Sequence, residues 1–363
     1  MTRPTTRRPA RAALVTAVAL GLAGLAGSSH ADSSYALTAR TFDTRGPTRV
    51  CNDFFCNTFT IIAPQEVIDQ RAGPPVAANE RWAGQDSATS AIGDAGALAR
   101  VKLQAREGDI QAGAAASAGI SSVFHSAASA TLRTEFVVRV EIDTDGFILQ
   151  TLAQLCGRNC PLTVDFLHHT TGRFISTGDA APGSFARFSE TLRISSPREP
   201  ATDDMVGEAA IVAGARSGAQ PTPSATGAWS AGDFLAPQVD AQGASWQFSH
   251  FESIPRQLTE WGPSDNGELL IGEYVVTLAQ TAEAGFADPQ AYRVGGGTSM
   301  AADFSHTSTF SLGRVYDPTG QIDLSGVPVT VRFIGISAVP EPGSWWLFAA
   351  GLGLGGLRLR RCA

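Results

Sequence analysis

The 363-residue sequence predicts a mainly β protein, an antiparallel β-sandwich, on three observations. Apolar and polar residues alternate with period two over several stretches, which sends successive side chains to opposite faces of a sheet. Turn-forming residues are dense, with 38 glycines and 20 prolines placed mostly between those stretches. Helical periods are scarce. Many short strands separated by turn residues belong to sandwich and barrel architectures.

From Asp32 the chain is polar and turn-rich through Cys51 and Cys56, with a short helix expected over Gln65 to Arg71 and a stop at Pro74-Pro75. Ala97, Ala99, Val101, Leu103 and Ala105 alternate with Arg100, Lys102 and Gln104, a strand. Residues 108–130 are rich in Ala, Gly and Ser; the glycines and serines favour a strand of small side chains over an Ala-rich helix, which stays the alternative. The clearest strand is 131–142, with Leu132, Phe136, Val138, Val140 and Ile142 facing inward and Arg139 and Glu141 outward. Asp143-Thr144-Asp145-Gly146 turns it into Phe147 to Leu152.

Leu162, Val164 and Phe166 alternate again, as do Phe188, Leu192 and Ile194. Residues 195–233 carry Pro197, Pro200, Pro221 and Pro223 and read as a long excursion whose one ordered piece is Met205 to Ala213. Strands resume at Trp246 and Phe248, at Leu270, Tyr274, Val276 and Leu278, at Phe304 to Tyr316, and at Val327, Val329, Val331 and Phe333.

Both ends carry address signals. Arg3, Arg7, Arg8 and Arg11 precede the apolar run Ala12 to Ala26, and Ser29-His30-Ala31 supplies small residues for cleavage before Asp32, so residues 1–31 read as a signal peptide for the general secretory route. At the other end, the turn Pro340-Glu341-Pro342-Gly343 is followed by an apolar span, Trp345 to Leu357, and then by Arg358, Arg360 and Arg361. The span falls short of the roughly 20 residues an ordinary spanning helix needs, which suits a temporary anchor, and the positive charge after it should hold that end in the cytoplasm.

Val339-Pro340-Glu341-Pro342, with Gly343, the span and the Arg cluster in this order, resembles the PEP-CTERM sorting signal of exopolysaccharide-producing Gram-negative bacteria. The resemblance covers residues 339–363. It implies recognition and cleavage by an exosortase, after transient residence in the inner membrane, and delivery to the cell surface or extracellular matrix. Asp303 to Leu312 also looks like a strand that precedes the tail in such proteins, which implies a jelly-roll-like sandwich without a known activity.

The whole chain carries a formal charge of −7; the four leader arginines and a tail of three arginines against one glutamate contribute +6, so residues 32–338 stand at −13. That sign, with basic residues scattered, argues against nucleic acid as a partner. Cys51, Cys56, Cys156 and Cys160 remain in the exported part. An even count in an oxidising compartment reads as two disulfides; of three connectivities the two local pairs are favoured, with a four-cysteine zinc site as the rival.

Three further patterns concern chemistry. Gly297-Thr298-Ser299-Met300-Ala301 is similar to the nucleophile motif of subtilisin-like proteases, and Asp143 and His169 complete that order of Asp, His and Ser. Asp303 stands where that family has proline, a period-two strand follows in place of a helix, and His169 lacks the H-G-T-H setting. Glu141, Asp143 and Asp145 before Gly146 resemble an acidic calcium loop, but Leu152 occupies the position of a closing glutamate; a structural turn is the favoured reading and no cofactor is expected. Trp229, Trp246 and Trp261 are the candidates for stacking on sugars. The sequence therefore reads as a non-catalytic structural or adhesive protein, residues 32–338 forming its exported body. A saccharide-binding module of the exopolysaccharide matrix is the alternative, and a serine hydrolase a lesser one.

Overall fold

The computed structural model describes residues 34–43, 48–51, 56–59, 65–72, 78–83, 97–106, 109–120, 124–142, 162–178, 180, 182–196, 204–214, 220–241, 243–258, 262–263, 269–286, 298–318, 324 and 326–334. They form strands β1 (Ser34–Asp43), β2 (Thr48–Cys51), β3 (Cys56–Phe59), β4 (Gln65–Ala72), β5 (Ala78–Ala83), β6 (Ala97–Arg106), β7 (Asp109–Ile120), β8 (Phe124–Ile142), β9 (Leu162–Thr177) and β10 (Ser184–Ser195). There follow β11 (Met205–Val212), β12 (Thr222–Gly227), β13 (Gln238–Val239), β14 (Gly243–Leu258), β15 (Gly262–Pro263), β16 (Leu269–Phe286), β17 (Thr298–Tyr316) and β18 (Val329–Ile334). Every pairing is antiparallel, as the alternation and turns predict.

Sixteen of these strands belong to one hydrogen-bonded sheet, and β2 with β3 forms a separate hairpin. The large sheet has two runs. One is β12-β11-β10-β16-β8, continued by β1 and β4 along one half of β8 and by β18 along the other. The second is β5-β6-β7-β17-β9-β14-β13. Among the described residues, the link between β7 and β8 is the single pair Ile120 and His125.

Side chains from the two runs meet in one core. Phe188 of β10 stacks on Phe304 of β17 with ring centroids 3.9 Å apart, and Phe136 of β8 meets Phe310 of β17 at 5.7 Å. Phe166 of β9 meets Tyr274 of β16 edge-on at 4.9 Å. These rings are fully or almost fully buried, and each such side chain contributes about 1.5–3 kcal/mol relative to exposure. The inward faces expected for residues 97–103, 132–142 and 162–166 are all buried. Residues 109–120 form a strand, not the alternative helix. Its small side chains have a steric reason: a Cβ on Gly113 would lie 2.3 Å from the Phe304 carbonyl oxygen, beside the register shift between Phe304 and Ser308 in β17.

Three expectations are corrected, and one strand changes phase. Gln65–Ala72 is the strand β4, paired along β1, and not a helix. The 195–233 excursion contains more order than Met205 to Ala213: Thr222–Gly227 forms β12, which among the described residues pairs with β11 alone, an edge position that tolerates Pro223. Leu270 faces outward while Leu269 and Ile271 are buried, because a bulge between Leu270 and Gly272 shifts the phase of β16. Glu141, expected outside, is fully buried; its strand is flanked by β16 and β18, and Arg139 (3.8 Å) and Arg332 (3.3 Å) cover its carboxylate.

Candidate ligand groove on the outer face of β9, β14 and β17

Two of the three tryptophans named for sugar stacking are core residues. Trp229 and Trp246 are each 3% exposed. Trp229 lies parallel to Phe188 at 5.9 Å and packs against Phe248 at 5.0 Å, so its faces are spent on the core. Trp246 occupies an inward position of β14 for the same reason of alternation. Trp261 lies outside the described residues.

Ser299 and His169 of the serine-triad reading are not brought together. Ser299 sits within β17 opposite Thr177, and the two hydroxyl oxygens are 2.6 Å apart. His169 lies eight residues earlier on β9, opposite Thr309, which is about 27 Å away along an extended strand. Asp143 and Asp145 of the calcium reading lie outside the described residues; Glu141, its third member, lies 3.8 Å from Arg139 and 3.3 Å from Arg332. Among the described residues no group of three or more His, Cys, Asp or Glu is arranged to hold a metal.

Cys51 and Cys56 are direct partners in the register of the β2–β3 hairpin, while Cys156 and Cys160 lie outside the described residues. So do residues 1–31, the motif from Val339 to Gly343, and Arg358, Arg360 and Arg361. Among the described residues no helix is long and apolar enough to cross a membrane.

What the fold does assemble is a groove of about 500 Å³ on the outer face of the second run. Its floor comes from three adjacent strands whose odd-numbered residues point away from the core. Thr171 and Arg173 belong to β9, Gln247 and Ser249 to β14, and Asp303 to β17. The register sets Gln247 and Asp303 on either side of Arg173, and Ser249 beside Thr171. Leu235 supplies one wall.

The wall has its own local causes. A 3₁₀ turn at Ala231–Asp233 begins at Ser230, whose amide donates to the Asp233 carboxylate at 2.7 Å. Phe234 then packs between Phe174 (5.7 Å) and Phe248 (5.3 Å), and the Leu235 amide donates to the Gln247 carbonyl at 2.9 Å. The chain is thereby held against the side of β14, with Phe234 turned inward and Leu235 53% exposed.

Charge in the groove is balanced. Arg173 Nη2 lies 3.3 Å from Asp303 Oδ2. Burial alone would raise the Asp303 carboxyl, but hydrogen bonds from the Ser305 hydroxyl (2.8 Å) and amide, together with Arg173, outweigh it and hold the group below the usual carboxylate value. Beyond Ser249, Phe251 stands 60% exposed. The His169 ring meets it edge-on at 6.2 Å, and His169 Nε2 is 3.1 Å from the Ser249 hydroxyl. Burial, followed by the charges of His168 and His250, holds the His169 imidazole below its ordinary value, which favours its neutral form.

In the sequence these groove residues appear as the polar half of alternating strands. Only pairing of segments more than 50 residues apart brings them together, so alternation marks each as outward without marking any as a neighbour of another.

No family model and no curated protein matches the chain. Among solved structures the chain is similar to one of infectious bursal disease virus, Gx strain, at 9% identity over 85% of this chain and 67% of that one, with a TM-score of 0.08, a level that carries no argument about fold.

Proposed function

We propose that the protein is an exported structural or adhesive component of the cell surface or extracellular matrix, without catalysis, and that its exported body is an antiparallel β-sandwich. The sorting signal carries the reading: Val339-Pro340-Glu341-Pro342-Gly343, a short apolar span and three arginines, in a chain that also has an export leader at residues 1–31. An exosortase is the partner this implies, with a transient inner-membrane anchor before release. The core shared by the two strand runs supports the sandwich. Two local disulfides complete the proposal. Cys51 opposite Cys56 across a hairpin supports the first, and the short Gly157-Arg158-Asn159 connection supports Cys156 with Cys160. The separation of His169 from Ser299 counts against the hydrolase reading.

Intact mass of the protein recovered from the surface and medium of its host, with and without reduction, tests the proposal. A chain that starts at Asp32, ends near Pro342 and gains four protons on reduction is the expected result. Retention of Cys362 in a membrane fraction would mean a plain anchored protein and would sink the matrix role.

A further inference from the structure

We propose that the groove on the outer face of β9, β14 and β17 binds a neutral saccharide chain, with the Phe251 ring as its stacking platform and Gln247, Ser249, Thr171 and the Arg173–Asp303 pair as its polar partners. The choice of a saccharide rests on the matrix destination proposed above; the site rests on geometry.

Phe251 is the most exposed large hydrophobic side chain among the described residues, and it does not stand in isolation. His169 meets it in a T-shaped contact and is itself fixed by Ser249, so the ring is oriented before any ligand arrives. An oriented aromatic with an open face suits the apolar face of a pyranose ring, and pre-organisation lowers the entropic cost of binding. From Phe251 to Gln247 along β14 is about 13 Å, room for a short run of sugar rings. Along that track lie two hydroxyls, a carboxamide, and a guanidinium beside a carboxylate, which together present donors and acceptors to sugar hydroxyls. Leu235 offers a second apolar contact on the far wall.

Charge selects the subclass. Arg173 is compensated by Asp303 and residues 32–338 carry −13, so a polyuronate would meet no net attraction and a long-range repulsion. A neutral chain meets neither.

The test is native affinity electrophoresis of the protein recovered from its host, in gels containing dextran, hydroxyethyl cellulose or galactomannan, with alginate as the anionic comparison. The expected result is retardation in at least one neutral gel and none in alginate. Affinity for that neutral polymer should weaken about tenfold in Phe251→Ala and in Gln247→Ala, with unchanged melting temperature, since both side chains are exposed. Absence of retardation in every neutral gel, retardation by alginate alone, or variants as strongly retarded as the parent would each overturn the proposal. Loss of self-association in Phe251→Ala without any polysaccharide effect would also overturn it, in favour of a protein interface. The matrix reading fails separately: a cleaved, matrix-located protein that no neutral gel retards keeps the destination and loses the groove. A protein that keeps its tail yet shows Phe251-dependent retardation does the reverse.

Discussion

His168 Nε2 lies 3.2 Å from Glu190 Oε2, and neither side chain has any exposed surface. The contact joins β9 to β10 and therefore spans the core shared by the two strand runs. Around it, Thr170 donates its hydroxyl to Glu190 and lies 3.0 Å from His168 Nε2, and the Gln280 carboxamide nitrogen donates to Glu190 Oε1 at 2.6 Å. A buried carboxylate is tolerable only when its own hydrogen-bonding capacity is met, as it is here for Glu190.

Removing one member should therefore be costly. Glu190→Ala leaves His168, Thr170 and Gln280 without their common acceptor, and a loss of about 3–5 kcal/mol is expected in urea unfolding at pH 7. His168→Leu combined with Glu190→Leu should lose less than the sum of the two single variants, because no lone charge is then stranded. A Glu190→Ala loss below about 1 kcal/mol, the size of a surface ion pair, would contradict the contact.

Acid should weaken the fold. Burial alone would raise the Glu190 carboxyl, but the charge of His168 and the hydrogen bonds from His168, Thr170 and Gln280 hold it below its ordinary 4.5. A depressed carboxyl contributes stability that is present above its unfolded value and lost as pH falls through its folded one. Asp303 acts in the same direction below its ordinary 3.8. His169, depressed from 6.5, also favours unfolding as pH falls, since the unfolded chain takes up its proton first. Stability should decline gently from about pH 6.5 and steeply below 4.5, measured as urea midpoints across pH. In Glu190→Gln the steep part should shrink.

Gly207 lies under the Trp229 ring, where an added Cβ would meet ring carbons at 2.3 Å. Gly207→Ala must displace the indole from its stack on Phe188, and a loss of about 1–3 kcal/mol is expected, with a red-shifted tryptophan emission. Trp229→Ala should cost about 3–5 kcal/mol. A Trp229→Ala protein as stable as the parent would place the ring outside the core.

Ser299 has Thr177 as its hydroxyl partner, and His169 lies far along the strand. Ser299→Ala should lower stability by about 1 kcal/mol, the loss of one hydrogen bond. A fluorophosphonate probe should leave Ser299 unlabelled. Labelling of Ser299 would revive the hydrolase reading.

Much of the secondary structure was legible because it is local. Successive side chains on a strand point to opposite faces whatever lies beside them, so Leu132, Phe136, Val138, Val140 and Ile142 declared a buried face before any partner was known. The same logic marked Phe166, Phe188 and Phe248. Where local pattern failed, a longer-range contact had overridden it. Gln65–Ala72 became a strand through pairing with β1, and the bulge at Leu270 and Gly272 moved Leu270 outward by a single change of phase.

By itself, then, the sequence marked most of the stretches that extend and the faces they turn inward, and it carries the end patterns from which the address is proposed, because each depends on residues adjacent in the chain. Tertiary structure alone decided that Trp229 is core and Phe251 is surface, that Glu141 is buried under two arginines, and that Thr171, Arg173, Gln247, Ser249 and Asp303 share a groove. The reason is that alternation assigns a side chain to a face but not to a neighbour. Neighbours follow from strand order and register, which are settled by packing across the whole core.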